Sequence, residues 1–130
     1  YALQKLKEYD EALSYFEKSL EIKPKNIKAI TKKAYTLARL YRFEEALDEI
    51  EVAIELNHFN SRSWYYRGVI NFLAENFETA KSDFEQSLRI KPKVARVQSC
   101  LDKANAEIEA LNSDEHIEEL VKNCSDKWSL

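Results

Sequence analysis

The sequence predicts an all-α chain, a helix–turn–helix repeat solenoid with a C-terminal capping helix. Three observations carry this. The stretch at 64–92, WYYRGVINFLAENFETAKSDFEQSLRIKP, recurs at a spacing of 34 residues. One step toward the N-terminus replaces Phe77, Ala80, Phe84, Leu88 and Ile90 by Phe43, Ala46, Ile50, Ile54 and Leu56. A second step gives Tyr9, Ala12, Phe16, Leu20 and Ile22, with Pro24 in the place of Pro92. A fixed period of this length, with one small and two large apolar residues per unit, marks stacked helical hairpins. One Gly and two Pro in 130 residues leave little material for the tight turns of a sheet. Within each unit the apolar residues fall mostly at i, i+3, i+4 spacing, which is one face of a helix.

Each element follows in order. Residues 1–7 occupy the end of a unit's first helix, whose first eight positions would lie upstream. Lys7 and Glu8 are the expected turn, and 9–22 the second helix, built on Tyr9, Ala12, Leu13, Phe16, Leu20 and Ile22. Pro24 cannot continue it. A partial unit over 1–24 implies more repeat or a capping helix upstream. Tyr at position 1 and the lack of Met likewise suggest a longer parent chain. Asn26 is the expected N-cap of a helix over 27–41, where Ala34 is the small residue that permits close approach. Arg42 marks the turn into a helix over 43–56, and 57–60 connect to the next unit. His58 stands where Pro24 and Pro92 stand and reads as an exposed helix stopper. The second unit is thus 27–60. The third, 61–94, is capped by Asn60 or Ser61, with helices over 62–75 and 77–90 and a stop at Pro92.

Beyond Pro92 the repeat positions fail, since Ala80 and Phe84 become Asp114 and Glu118. Val94, Val97, Leu101, Ala104, Ile108 and Leu111 instead step by 3, 4, 3, 4 and 3, an amphipathic helix over 95–112 that would cap the last unit. Asn112 with Glu115 three residues on signals a separate short helix in 113–130. Ile117, Leu120 and Val121 form its stripe, and the place of Trp128 is left open.

The chain resembles the tetratricopeptide repeat family. The family's W-L-G-Y-A-F-A-P pattern is matched at Trp64, Gly68, Ala80, Phe84 and Pro92, with Arg67, Asn71 and Ser87 in place of Leu, Tyr and the second Ala. The resemblance covers about residues 1–94. It implies a solenoid whose first helices line a concave groove and whose second helices form the convex back. It implies binding of another protein, without naming it.

Composition narrows the function. A formal charge of −3 argues against whole-molecule attraction to nucleic acid or anionic membrane. No apolar run reaches the length of a membrane span. Cys100 and Cys124 form no CxxC motif and read as reduced thiols, which suits a cytoplasmic or nuclear setting. No Gly-rich phosphate loop is possible around a single Gly, and no metal-ligand spacing or nucleophile–base arrangement stands out. Asp114, Glu115 and His116 are adjacent in sequence, so a helix would point them to different faces. They read as an acidic first turn. Glu44, Glu45, Asp48, Glu49, Glu51 and Glu55 read as a solvated face. Neither an enzyme nor a cofactor is expected.

The candidate site comes from a charge split. Residues 27–41 carry Lys28, Lys32, Lys33 and Arg39 with no acid, and residues 43–56 carry six acids with no base. If the first helices line the groove, an acidic chain has a basic groove. The groove positions implied by the resemblance are Lys28, Thr31, Lys32, Tyr35 and Arg39 in the second unit and Arg62, Tyr65, Tyr66 and Val69 in the third. Tyr1 and Lys5 precede them, and Arg96 extends the surface onto the cap. Tyr and Arg concentrate binding energy because they join contact area to a polar handle.

The primary expectation is therefore a scaffold that binds an acidic peptide in a basic, tyrosine-bearing groove. A co-chaperone version would grip the acidic C-terminal tail of a heat-shock chaperone. Of the family's two-carboxylate clamp, Arg62 keeps the character of a Lys, whereas Tyr1, Lys32 and Tyr66 stand where Asn, Asn and Arg are expected. Single-stranded nucleic acid is a further alternative, since such binders combine bases with stacking aromatics. Docking of another subunit on the repeat end or on the C-terminal stripe is the last.

Overall fold

The structure is a computed structural model that describes residues 2–128, and the side-chain surroundings of residues 3–114, 118, 119, 121 and 122. All regular elements among them are helices: α1 (Ala2–Ile22), α2 (Ile27–Arg39), α3 (Phe43–Leu56), α4 (Ser61–Leu73), α5 (Phe77–Ile90) and α6 (Ala95–Trp128).

The caps follow the sequence closely. Asn26 Oδ1 accepts from the Ala29 N–H at 3.2 Å, and Asn60 rather than Ser61 caps α4, accepting from the Arg62 N–H at 3.0 Å. Asn26→Ala is expected to cost about 1 kcal/mol in a urea titration, the usual worth of such a cap. A change within error would show that this end is held by packing alone.

The hairpin turns fall earlier than the pattern suggests. The helices expected over 27–41 and 62–75 end at Arg39 and Leu73, because Tyr41 (φ 62°) and Glu75 (φ 65°) take the left-handed conformation. Each closes a Schellman motif. The Tyr41 and Arg42 N–H groups donate to the Ala38 and Leu37 carbonyls, and the Glu75 and Asn76 N–H groups to those of Phe72 and Asn71.

Two expected breaks are absent. Lys7 is the repeat equivalent of Tyr41, yet α1 runs through Lys7 and Glu8 without a turn. A left-handed residue costs about 1–2 kcal/mol, recovered in the later units by a first helix folding back on the second. Leu3 and Leu6 are exposed, so no such packing offsets a turn at Lys7. Likewise the cap of 95–112 and the short helix after it are one helix, α6. Asn112 lies inside it. An interior Asn costs a few tenths of a kcal/mol, less than breaking a helix and nucleating another. Of the expected stripe, Val121 is exposed. The side chains of Ile117, Leu120 and Trp128 lie outside the described residues, as do those of Glu115, His116 and Cys124 and the whole of Tyr1, Ser129 and Leu130.

Packing is between neighbours. One cluster joins α1, α2, α3 and α4 through Leu13, Ile30, Ala34, Leu37, Ala46, Ile50, Ala53 and Ile70. A second joins α5 and α6 through Ala80, Phe84, Val97 and Ala104, with Tyr65, Val69 and Phe72 of α4 against it. The capping role of α6 thus rests on its first three turns. Leu111, the last residue of the expected stripe, is half exposed. Helix α2 touches α4, and α4 touches α6, whereas α3 and α5 make no contact among the described residues. The layer α2–α4–α6 is therefore the inside of a bend, and α3 and α5 are splayed on the outside.

Candidate functional site

Lys28, Lys32, Tyr35 and Arg39 recur at i, i+4, i+7 and i+11 along α2, and Arg62, Tyr65, Tyr66 and Val69 lie along α4. Lys28, Lys32, Arg39, Arg62 and Arg96 are exposed, while Tyr35, Tyr65, Tyr66 and Val69 are half-buried. An aromatic ladder crosses the two helices. Tyr35 meets Tyr66 edge-on with centroids 5.9 Å apart, Tyr66 meets Tyr65 at 5.3 Å, and Tyr65 meets Phe84 at 6.1 Å. A guanidinium lies over two of its tyrosines. Arg39 lies 5.5 Å from the Tyr35 ring centroid and donates from Nε to the Tyr35 hydroxyl at 3.0 Å, and Arg96 lies 5.3 Å from the Tyr65 centroid. Burial, with Cys100 beside it, pushes the Tyr65 phenol up to about 12, so the ring stays neutral. Cys100 carries a free thiol.

Thr31 does not belong to this surface. It is fully buried, and its hydroxyl donates to the Lys28 carbonyl at 2.9 Å. A short hydroxyl side chain can be satisfied by its own helix, which its repeat position could not reveal. Val69 packs into an apolar cleft with Phe72, Leu73, Phe84, Cys100 and Lys103.

Charge is distributed unevenly between the two faces. On the outside, Lys33 pairs with Glu49 at 3.0 Å, so the fourth base of that helix faces α3 rather than the inner layer. Arg42 pairs with Glu45 at 2.6 Å, and Arg67 with Glu51 at 3.1 Å. Lys28, Lys32, Arg62 and Arg96 form no ion pair among the described residues. Part of the acidic face is thus neutralised by ion pairs, while the exposed bases of α2, the start of α4 and the first turn of α6 stay without acidic partners on a chain of formal charge −3.

A polar cluster was missed in the sequence. Asn71 Nδ2 donates to Asp83 Oδ2 at 2.8 Å, and Arg67 Nε lies 3.7 Å from the same oxygen. Burial pushes the Asp83 carboxyl up to about 6, against the lowering by Asn71 and Arg67. The available signal was that Arg67 and Asn71 are two of the three departures from the repeat pattern. His58 is exposed, its carbonyl accepting from Trp64 Nε1 at 2.9 Å. Among the described residues no His, Cys, Asp and Glu cluster could hold a metal ion, and no helix is long and apolar enough to cross a membrane.

Sequence profiles of the tetratricopeptide repeat match residues 3–66 and 61–94. The chain belongs to the tetratricopeptide repeat family. It is 26% identical over 115 residues to RNA polymerase II-associated protein 3 of Xenopus tropicalis, an alignment that covers 88% of this chain and 18% of that protein. The chain thus spans under a fifth of that relative. Among solved structures it is similar to the first repeat domain of human RPAP3, with TM-score 0.75, 27% identity, and coverage of 84% of this chain and 86% of that one. It is also similar to the first repeat domain of Spaghetti (RPAP3) bound to the HSP90 peptide SRMEEVD. There the TM-score is 0.71 and the identity 28%, with 81% of this chain and 83% of that one covered.

Proposed function

We propose that this chain is a non-enzymatic, co-chaperone-type module that receives the acidic C-terminal tail of a chaperone along the α2–α4–α6 face, in the cytoplasm or nucleus. The observation that carries this is the set of inner-layer bases without acidic partners, laid beside a ladder of tyrosines. Unpaired cations on a concave face attract an anionic segment. Half-buried tyrosines add contact area at low entropic cost. The similarity to a domain bound to SRMEEVD, a peptide rich in carboxylates, supports the same ligand chemistry.

The test is titration of free-acid SRMEEVD into the chain and into the triple variant Lys28→Glu, Lys32→Glu, Arg62→Glu, with helicity matched by circular dichroism. The triple variant should bind at least ten-fold more weakly, a loss of about 1.4 kcal/mol or more. Binding to the unchanged chain should weaken with added salt as the exposed charges are screened. Equal affinity for both proteins would move the binding face elsewhere. Retardation of single-stranded RNA at low salt, without peptide binding, would favour the nucleic-acid reading.

A further inference from the structure

Charge is divided between the two edges of the solenoid as well as between its faces. At one edge each second helix hands over to the next first helix, through residues 23–26, 57–60 and 91–94. Ser87, the third departure from the repeat pattern, donates its hydroxyl to the Ser61 carbonyl at 2.9 Å and ties the end of α5 to the start of α4. Ser61, Lys91 and Val94 line one cleft, so the second and third connectors are neighbours. The first connector takes the equivalent place one unit earlier. The stretches 21–28, 55–62 and 89–96 hold eight bases against two acids. The equivalent stretches at the hairpin-turn edge, 5–12, 39–46 and 73–80, hold four bases against seven acids. The 13 residues of α2 set the two edges about 20 Å apart, roughly two Debye lengths at physiological salt. An anionic surface laid against the basic edge is therefore screened from the acids of the other, whatever the net charge of the chain.

Two large apolar side chains stand out from the same edge. Ile22 ends α1 and is 80% exposed, and Phe59 sits in the second connector and is 83% exposed. Both are presented by backbone that is held in place. Across the first connector the Asn26 N–H donates to the Lys23 carbonyl at 3.3 Å. In the second, the Phe59 N–H donates to Asn57 Oδ1 at 3.0 Å, and the His58 carbonyl accepts from Trp64 Nε1 at 2.9 Å. Lys23 and Lys25 flank the first turn. Lys91 and Lys93 flank Pro92 in the third, where Lys93 is left-handed (φ 65°). All four lysines are exposed and form no ion pair among the described residues.

We propose that this edge docks on an anionic lipid surface, with Lys23, Lys25, Lys91 and Lys93 among the headgroups and Ile22 and Phe59 reaching the acyl boundary. Lysines near such a surface are drawn to its negative potential. Apolar side chains buried at the boundary add a contribution that salt does not screen. The apolar pair is what selects lipid over other polyanions. Ile22 has neither a ring to stack on a base nor a donor for a phosphate, and it gains only by leaving water. A rim of loop tips also meets a flat, deformable surface more fully than it meets a folded acidic partner. The inference does not depend on the peptide reading, whose tyrosine ladder lies along the middle of α2 and α4.

The experiment is co-sedimentation with phosphatidylcholine vesicles, alone and with about 30% phosphatidylserine. The chain should sediment with the anionic vesicles only, and less so as salt is added. Lys23→Glu/Lys25→Glu should lower the partition coefficient about ten-fold. Lys5→Glu/Lys7→Glu, the same charge change toward the other edge, should leave it within about two-fold. Ile22→Ser/Phe59→Ser leaves the charge unaltered and should also lower it about ten-fold. These two side chains are exposed, so the variant loses no core contact, and circular dichroism checks that every variant keeps its helices. Equal losses from the two lysine pairs would show attraction to net charge alone. Full binding by the Ile22→Ser/Phe59→Ser variant would show that neither side chain enters the lipid. Either result overturns the proposal, as does failure of the unchanged chain to bind anionic vesicles. Retardation of single-stranded RNA that disappears with Lys23 and Lys25, without vesicle binding, would assign the edge to nucleic acid instead.

Discussion

Gly68→Ala is expected to lower the unfolding free energy by about 2–3 kcal/mol and the thermal midpoint by roughly 10 °C. In an open helix the same change would stabilise by about 1 kcal/mol, because Gly is the poorer helix former. Here a Cβ at position 68 would sit 2.5 Å from Phe84 Cε1 and 2.7 Å from Cδ1. Phe84 is 1% exposed, so its ring can make room for the methyl only by shifting within the packed core. The ring belongs to the cluster that holds α6, so displacing it loosens the cap as well as the third unit. The preceding unit shows the alternative solution. Ala34 and Ile50, the equivalents of Gly68 and Phe84, are both fully buried in one cluster. Gly68→Ala in a Phe84→Ile background should therefore cost less than 1 kcal/mol, since the smaller partner leaves room for the methyl. Chemical denaturation of the two single variants and the double variant gives the coupling. Additive costs would mean that the close approach is not what selects Gly at this position.

This pair also shows what was readable before any coordinates. A repeat period transmits packing constraints, so the small residue opposite the large one, the Asn caps and the place of α6 against the last unit follow from spacing. A period is silent where a rule is locally broken. Lys7 lies at the right repeat position for a turn, but a left-handed residue needs packing to offset its cost, and packing is not in the pattern. Asn112 carries a capping signal that is used only if the helix has a reason to stop. Of the nominated groove residues, the exposed bases and half-buried tyrosines lie together on α2, α4 and the start of α6. Thr31 alone is turned inward. Lys33 has the composition of a groove residue but a rotational position that faces α3. The three mismatched positions, Arg67, Asn71 and Ser87, were the most informative, because each makes a polar contact that the apolar pattern does not anticipate.

Asn71→Ala should destabilise the chain by about 2–3 kcal/mol at pH 7.5 and by only about 1 kcal/mol at pH 4.5. The difference comes from Asp83, which is 4% exposed and accepts from Asn71 at 2.8 Å. Hydrogen bonds to a charged group are worth more than neutral ones, and a buried carboxylate that loses one of its few partners is costly. Burial raises the Asp83 carboxyl from 3.8 to about 6, so the folded state holds the proton more tightly than the unfolded state does. Stability from this group is therefore fully present below about 3.8 and is lost as pH rises through about 6. Removing Asn71 takes away a contact that favours the ionised form, so the variant's carboxyl moves further up and its stability falls more steeply over the same range. Asp83→Asn removes the titrating group, and its stability should lack this share of the pH slope. Arg67 restrains the effect, since its guanidinium lies 3.7 Å from Asp83 on one side and 3.1 Å from Glu51 on the other. That bridge joins α4 to both α3 and α5, so the cluster couples the second unit to the third across the outside of the bend. Urea titrations at the two pH values for the unchanged chain, Asn71→Ala and Asp83→Asn provide the test. If Asn71→Ala costs the same at both, Asp83 does not change charge in the folded state between them, and its burial is relieved by water.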